Sequence, residues 1–307
     1  MYSKRCNICH GTSGWGFPED ITGSHTVTMC DNCGLIRTDS GLLPVAIDEF
    51  YEKGFKSDPG AANSPSDLSD LEQVDFLDSK QVLKTMVMPL LSPYIDIRGK
   101  RCLEIRFRTG AWLELLSDMG ASYTAGVDIF KNNVDSVQLR VPEAVLTQCS
   151  VYDLPGLAEG KFDLISGASI HVLSHIPDIR LFISRICDLL ADDGIIFFDE
   201  KDISMITTGA KTLPLCHPNP IAHYFHFTLE TVRSALENCG LEIMFCEIYQ
   251  RESDLAHIAI VGKKAKNPKI RNEKKFVSNK NRDDLKSQFE FIVRDHQKRM
   301  HSVDRAH

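Results

Sequence analysis

Apolar residues along this chain recur with two different periods, and the two alternate. Cys102–Ile105, Tyr123–Val127, Ala144–Leu146, Phe162–Ile165 and Ile195–Phe198 are short apolar runs of strand length. Ala111–Met119, Arg180–Leu190 and Leu229–Asn238 instead repeat their apolar positions every three or four residues, which predicts helices, with Gly120 and Gly240 as stops behind the first and last. Strands alternating with helices imply a parallel sheet covered on both faces. Leu241–Tyr249 and Ala256–Val261 are joined by a short polar turn, so a terminal hairpin should add one antiparallel strand to that sheet. Upstream, Leu68, Leu71, Phe76, Leu83, Val87 and Leu90 keep mostly helical spacing, and residues 58–65, dense in Pro, Gly and Asn, read as a linker. Four segments follow: a small unit over 1–57, a linker and helical segment over 58–98, an α/β domain over 99–262 and a tail over 263–307.

Cysteine spacing defines the first segment. Cys6-x-x-Cys9 and Cys30-x-x-Cys33 stand twenty residues apart. Each CxxC knuckle presents two thiolates from one tight turn, and four thiolates satisfy a zinc ion tetrahedrally. The pattern predicts a zinc ribbon with a closed, structural Zn2+; the competing reading, a redox dithiol, needs only one CxxC. His10 and His25 are close enough in sequence to replace a ligand.

Composition and charge narrow the partners. Of 307 residues, 43% are hydrophobic and 25% charged, which excludes wholesale disorder. The net charge of −7 divides into −15 over residues 1–262 and +8 over the tail. An acidic body repels a nucleic-acid backbone, so nucleic acid is not the expected partner; the basic tail either contacts an anionic partner or is a solvated extension. No apolar run approaches the roughly 18 residues of a membrane helix, and no signal-peptide core follows the first residues, so a cytoplasmic protein is expected.

The segment from Arg101 to Leu116, Arg-Cys-Leu-Glu-Ile-Arg-Phe-Arg-Thr-Gly-Ala-Trp-Leu-Glu-Leu-Leu, carries the functional signal. A strand holding Glu104, a loop ending in Thr109-Gly110 and then a helix form a ligand-binding βα turn. Twenty-four residues after Glu104, Gly126-Val127-Asp128 sets a carboxylate at the end of the next strand, where it can accept hydrogen bonds from ribose hydroxyls. Then come Phe162-Asp-Leu-Ile165, His171-Val-Leu-Ser-His-Ile-Pro177 and Leu189-Leu-Ala-Asp-Asp-Gly194.

In this order the motifs over residues 99–262 resemble the class I S-adenosylmethionine (SAM)-dependent methyltransferases. Cys30-Asp-Asn-Cys-Gly-Leu-Ile with Phe50-Tyr51 resembles the zinc-ribbon preface of bacterial methyltransferases acting on nucleotide-linked sugars and surface polysaccharides. The resemblance implies a Rossmann-like seven-stranded sheet behind the ribbon and SAM held by Glu104, Gly110, Asp128, Ser150 and Val151. It implies methyl transfer to a small-molecule or polymer-borne sugar. Leu173-Ser-His175-Ile-Pro matches a sugar C-methyltransferase motif, and Ala222-His223 keeps only the histidine of a Glu-His pair, so His175 and His223 are the expected bases. The sequence departs from the pattern where two loop glycines are Arg106 and Arg108, whose side chains should crowd SAM. A catalytically inactive binding or scaffold protein is therefore the alternative.

His171 and His175 are four apart, a metal-pair spacing on a helix, yet no carboxylate or third ligand accompanies them at a suitable spacing. The cluster His217, His223, Tyr224 and His226 should form a lid, and Thr228 should cap the helix that follows.

Overall fold

The computed structural model describes residues 5–6, 8–16, 26–39, 77, 79–154, 160–169, 171–203, 223–250 and 256–266, together with 283, 286, 287 and 290. In chain order the strands are β1 (Gly14–Gly16), β2 (Thr26–Cys30), β3 (Ile36–Asp39), β4 (Arg101–Ile105), β5 (Tyr123–Asp128), β6 (Val145–Gln148), β7 (Phe162–Gly167), β8 (Leu190–Lys201), β9 (Phe225–His226), β10 (Leu241–Gln250) and β11 (Ala256–Lys264). The helices are α1 (Met88–Leu91), α2 (Ala111–Asp118), α3 (Lys131–Arg140), α4 (Ile179–Leu189) and α5 (Leu229–Asn238).

Seven strands form one sheet in the order β10-β11-β8-β7-β4-β5-β6. β4 through β8 are parallel, and β11 enters antiparallel between β8 and β10, as the terminal hairpin predicts. The chain runs outward from β4 through β5 to β6, then returns to lay β7 and β8 on the other side of β4. That reversal opens a crevice at the carboxyl ends of β4 and β7, where open α/β sheets bind ligands.

Both faces are buried, and the strand pleat divides the core in two. Leu103, Ile165, Ile196 and Phe198 point to one layer, while their neighbours Cys102, Leu164, Ile195 and Phe197 point to the other. The first layer is covered by α4 and α5. α4 offers Ile179, Phe182, Ile183, Ile186 and Leu189 along one stripe, and the Asp178 carboxylate caps it by accepting from the Leu181 amide at 3.0 Å. α5 opens with the expected cap: the Thr228 hydroxyl accepts from the Thr231 amide, and the Thr231 hydroxyl accepts from the Thr228 amide. β8 is longer than its apolar run. It begins five residues early, at Leu190, passes through exposed Asp192-Asp193 and carries buried Asp199 and Glu200 just before its last residue, Lys201.

The expected helix upstream is described at Leu77 and from Ser79, widens over Leu83–Val87 and leads into α1. The earlier positions Leu68, Leu71 and Phe76, the linker at 58–65 and nearly all of the tail lie outside the described residues, as do His25, Phe50, Tyr51, His217 and Ala222.

A second, four-stranded sheet runs β1-β2-β3-β9. Three of its strands come from the cysteine-bearing segment. The fourth, β9, belongs to the segment that precedes α5, and Arg37 pairs with Phe225 and Ile36 with His226. Cys6, Ile8, Cys33 and Leu35 accordingly share a continuous core with Phe182, Phe225 and Leu236. Among the described residues no helix is long and apolar enough to cross a membrane.

Candidate active site

The crevice is built outward from β4. Glu104, wholly buried, directs its carboxylate across to the end of β7. Oε1 accepts from the amides of Ala168 and Ser169, both at 2.9 Å, and Oε2 accepts from the Ser166 hydroxyl, which in turn accepts from the Trp112 indole at 2.9 Å. Burial raises its carboxyl to about 7, although these donors pull the other way. Glu104 therefore ties β4, next to the Arg106–Gly110 loop, to the loop after β7.

Between β4 and α2 the chain turns through Arg106–Gly110. Arg106 and Arg108 hold φ of 58° and 51°, and Gly110 holds 78°. The arginines thus keep the left-handed backbone that suits glycine, at a steric cost of about 1–2 kcal/mol each. Gly110 cannot be replaced in the same way, since a Cβ there would lie 2.4 Å from Val137 Cγ1. Arg140 of α3 steadies the loop by donating to the Thr109 carbonyl at 2.9 Å. Arg108 is exposed, but Arg106 is buried, with its guanidinium 5.9 Å from the Phe130 ring centroid and close enough to Asp128 to offset part of the cost of burying that carboxylate.

Asp128, at the end of β5, is 2% exposed. Its Oδ2 accepts from the Arg108 amide at 3.2 Å and its Oδ1 from the Phe130 amide at 3.0 Å. Burial nevertheless pushes its pKa upward, Arg106 and these amides opposing. A carboxylate has about four lone-pair sites, so capacity remains for ribose hydroxyls. The Cys149 amide donates to the Asp128 carbonyl at 3.1 Å, which brings Ser150 to the same edge; the Ser150 hydroxyl accepts from the Tyr152 amide, and the Val151 side chain enters the core.

Across the crevice, the chain after β7 makes a tight turn over Val172–His175. Here the fold corrects the sequence reading, because His171 and His175 do have a third companion. His223, 52 residues beyond His171, brings its Nε2 to 3.0 Å from His171 Nε2, and the His175 and His223 ring centroids are 4.5 Å apart. One ring nitrogen from each of the three lies within 4.8 Å of the others. Glu200, at the end of β8, fixes this turn from below: its oxygens accept from the Leu173 amide at 2.6 Å and the Ser174 hydroxyl at 2.7 Å, and burial raises its carboxyl to about 8. The Tyr224 amide donates to the Ser174 carbonyl at 2.8 Å, fastening the residue after His223 to the same turn. Burial drives His171 well below the usual histidine range, with His175 and Lys201 adding to the effect. His226 points away to the Thr38 hydroxyl at 3.0 Å, and burial lowers it to about 4.

The sequence reading missed Glu200, Arg140 and the part that His171 plays. Glu200 had a usable signal, an acid at the carboxyl end of a buried strand, which is the logic that selected Glu104 and Asp128.

The four cysteines lie apart from the crevice. Their sulfurs are all within 4.8 Å of one another, with Cys6 to Cys33 at 3.6 Å and Cys9 to Cys30 at 3.5 Å. Zinc–sulfur bonds of about 2.3 Å require tetrahedral sulfur spacings of about 3.8 Å, so the donor set fits Zn2+. His10 and Gly34 take positive φ behind the two knuckles, and the Gly11 amide donates to Cys9 Sγ at 3.4 Å. Side-chain hydrogen bonds with Cys30 first, then with Cys6 and Cys9, push the Cys33 thiol up, a penalty that a bound cation removes.

Residues 80–244 match the family model described as "Methyltransferase domain". Two curated relatives, both named ubiquinone biosynthesis O-methyltransferase and both from Neisseria meningitidis strains, are 25% and 24% identical over 158 residues. Each match covers 48% of this chain and 64% of the relative, so the chain spans less than two thirds of their length. Among solved structures, a Burkholderia thailandensis 1,6-didemethyltoxoflavin-N1-methyltransferase with bound 1,6-didemethyltoxoflavin and S-adenosylhomocysteine superposes with a TM-score of 0.53 at 16% identity, covering 81% of this chain and 99% of that one. That likeness is one of fold.

Proposed function

Because this chain belongs to the methyltransferase-domain family, we propose that it transfers a methyl group from SAM to a nucleotide-linked or surface-polysaccharide sugar. The accepting atom is a hydroxyl oxygen or a carbon beside a keto group; the curated relatives are named O-methyltransferases, which favours oxygen. SAM supplies an electrophilic methyl on a sulfonium. Glu104, Gly110, Asp128, Ser150 and Val151 hold it, and a structural Zn2+ on Cys6, Cys9, Cys30 and Cys33 stiffens the N-terminal sheet.

The observation that carries the reading is the meeting of His175 and His223 opposite the Arg106–Gly110 loop, joined to it through Glu104 and Ser169. Methyl transfer is an in-line displacement, so the protein chiefly holds the reacting atoms about 3 Å apart and excludes water. A sugar hydroxyl is a poor nucleophile until its proton leaves, and a histidine suits that task near neutral pH. Calorimetric titration of SAM and S-adenosylhomocysteine, followed by a sugar-nucleotide screen, tests this. Micromolar binding, worth about −8 kcal/mol, is expected. In the variant carrying His175→Ala and His223→Ala, turnover should fall at least ~100-fold with SAM affinity unchanged; full activity there refutes the assignment.

A second reading, a non-catalytic binding or scaffold protein, draws on one observation: the buried Arg106 guanidinium stands beside Asp128 and Phe130, where the ribose would go. It expects no heat from SAM with the wild-type protein and a gain of binding after Arg106→Gly with Arg108→Gly.

A further inference from the structure

We propose that His171, His175 and His223 form a second metal site, in which three neutral imidazoles hold one divalent transition-metal ion and leave a coordination position for the acceptor's hydroxyl oxygen.

The first argument is spacing. Three ring nitrogens within 4.8 Å of one another occupy one corner of the crevice, and the closest pair is 3.0 Å apart. Metal–nitrogen bonds of about 2.0–2.1 Å in a tetrahedron require nitrogens about 3.3 Å apart, so the three rings need only small rotations to enclose an ion.

The second is rigidity. The turn carrying His171 and His175 is held at one end by Glu104, through the Ser169 amide, and at the other by Glu200, through Leu173 and Ser174. His223 is tied to that turn by the Tyr224 amide. A ligand set fixed by buried carboxylates of the two strands that flank β7 has the support that metal sites require.

The third is chemical character. The other two buried histidines each meet a different kind of side chain: His226 the Thr38 hydroxyl, and His257 the Asp199 carboxylate at 3.0 Å. These three meet one another, with ring centroids 4.5–5.1 Å apart. Imidazole sets suit zinc, iron, nickel or copper, and three histidines with an open position make a catalytic type of site, unlike the closed four-thiolate one.

The role given to the open position rests on the methyltransferase reading; the metal itself does not. With an ion bound, His175 and His223 act as its ligands instead of as bases, and the ion acidifies the acceptor hydroxyl, whose proton leaves to water. Transfer then forms the C–O bond as the C–S bond of the sulfonium breaks, and sulfur keeps the electron pair as a neutral thioether.

The test is cobalt(II) titration of the metal-depleted full-length protein followed by absorption. Two equivalents are expected: one with intense thiolate-to-cobalt charge transfer, and a second with weak ligand-field bands alone. His171→Ala and, separately, His223→Gln should weaken the second equivalent at least ~100-fold and leave the thiolate band unchanged, which also reports that the fold is intact. A single equivalent, or a second one indifferent to both substitutions, overturns the site. S-Adenosylhomocysteine calorimetry on the same samples separates the two claims. Cobalt at the histidines without nucleoside binding upholds the metal site against the methyltransferase reading; nucleoside binding and methyl transfer by protein free of the second metal does the reverse.

Discussion

Replacing Glu104 by Gln removes a costly buried ionisation on β4 while keeping its hydrogen bonds. The Gln carbonyl can accept from the Ala168 and Ser169 amides, and its amide can donate to Ser166, whose hydroxyl then donates to the Leu103 carbonyl. In the wild-type protein burial raises the carboxyl from 4.5 to about 7. A pKa raised on folding gives stability that is complete below the unfolded value and is lost as pH rises through the folded one. At 1.36 kcal/mol per pKa unit the full loss is about 3 kcal/mol, of which about 2.5 falls between pH 5 and pH 8. Denaturant unfolding of both proteins at these two pH values, with all other groups in common, isolates that difference. The Gln variant should gain about 2.5 kcal/mol on the wild type between pH 5 and pH 8. Equal pH slopes would refute the argument that Glu104 is ionised at a cost in the folded crevice. If the ionised group also meets the amino group of SAM, the same variant binds S-adenosylhomocysteine more weakly while being the more stable protein at pH 8.

Gly110→Ala combines a φ of 78° with a 2.4 Å approach to Val137 Cγ1, so it should cost about 2–4 kcal/mol; Val137→Ala in the same chain should recover part of that loss in thermal unfolding. His226 has its pKa lowered by burial from 6.5 to about 4, so its contribution is present above pH 6.5 and is lost as pH falls toward 4. His226→Gln, which can still bond to Thr38, should move the acid-unfolding midpoint to lower pH, as followed by circular dichroism.

The strand–helix alternation and the two CxxC knuckles were legible because each is a local pattern. A buried parallel strand such as Phe162–Ile165 is written as a run, and a knuckle as two cysteines three apart. The histidine cluster was not, because His171 and His223 meet only after the chain has crossed α4 and β8. No period links positions 52 residues apart. β9 escaped for a different reason: a two-residue strand, Phe225–His226, carries too few positions to show any alternation. At Arg106 and Arg108 the sequence showed the loss of glycine but not that the backbone would retain glycine's conformation at both positions. Glu200 is hidden by its neighbours, since Asp199-Glu200-Lys201 reads as the polar end of a strand although the first two are buried.

The borrowed strand β9 has a consequence for anyone wishing to recombine this protein. The cysteine-bearing sheet is completed by Phe225–His226, and Tyr224 just before them bridges the two sides, donating its amide to the Ser174 carbonyl of the histidine turn and accepting from the Thr38 amide of β3. A chimera that swaps residues 1–57 for an unrelated small domain would leave the edge of Phe225–His226 without its partner and uncover Phe227 and Tyr224, now 1% and 7% exposed. The graft must therefore bring its own strand to pair there, or the crevice inherits the damage.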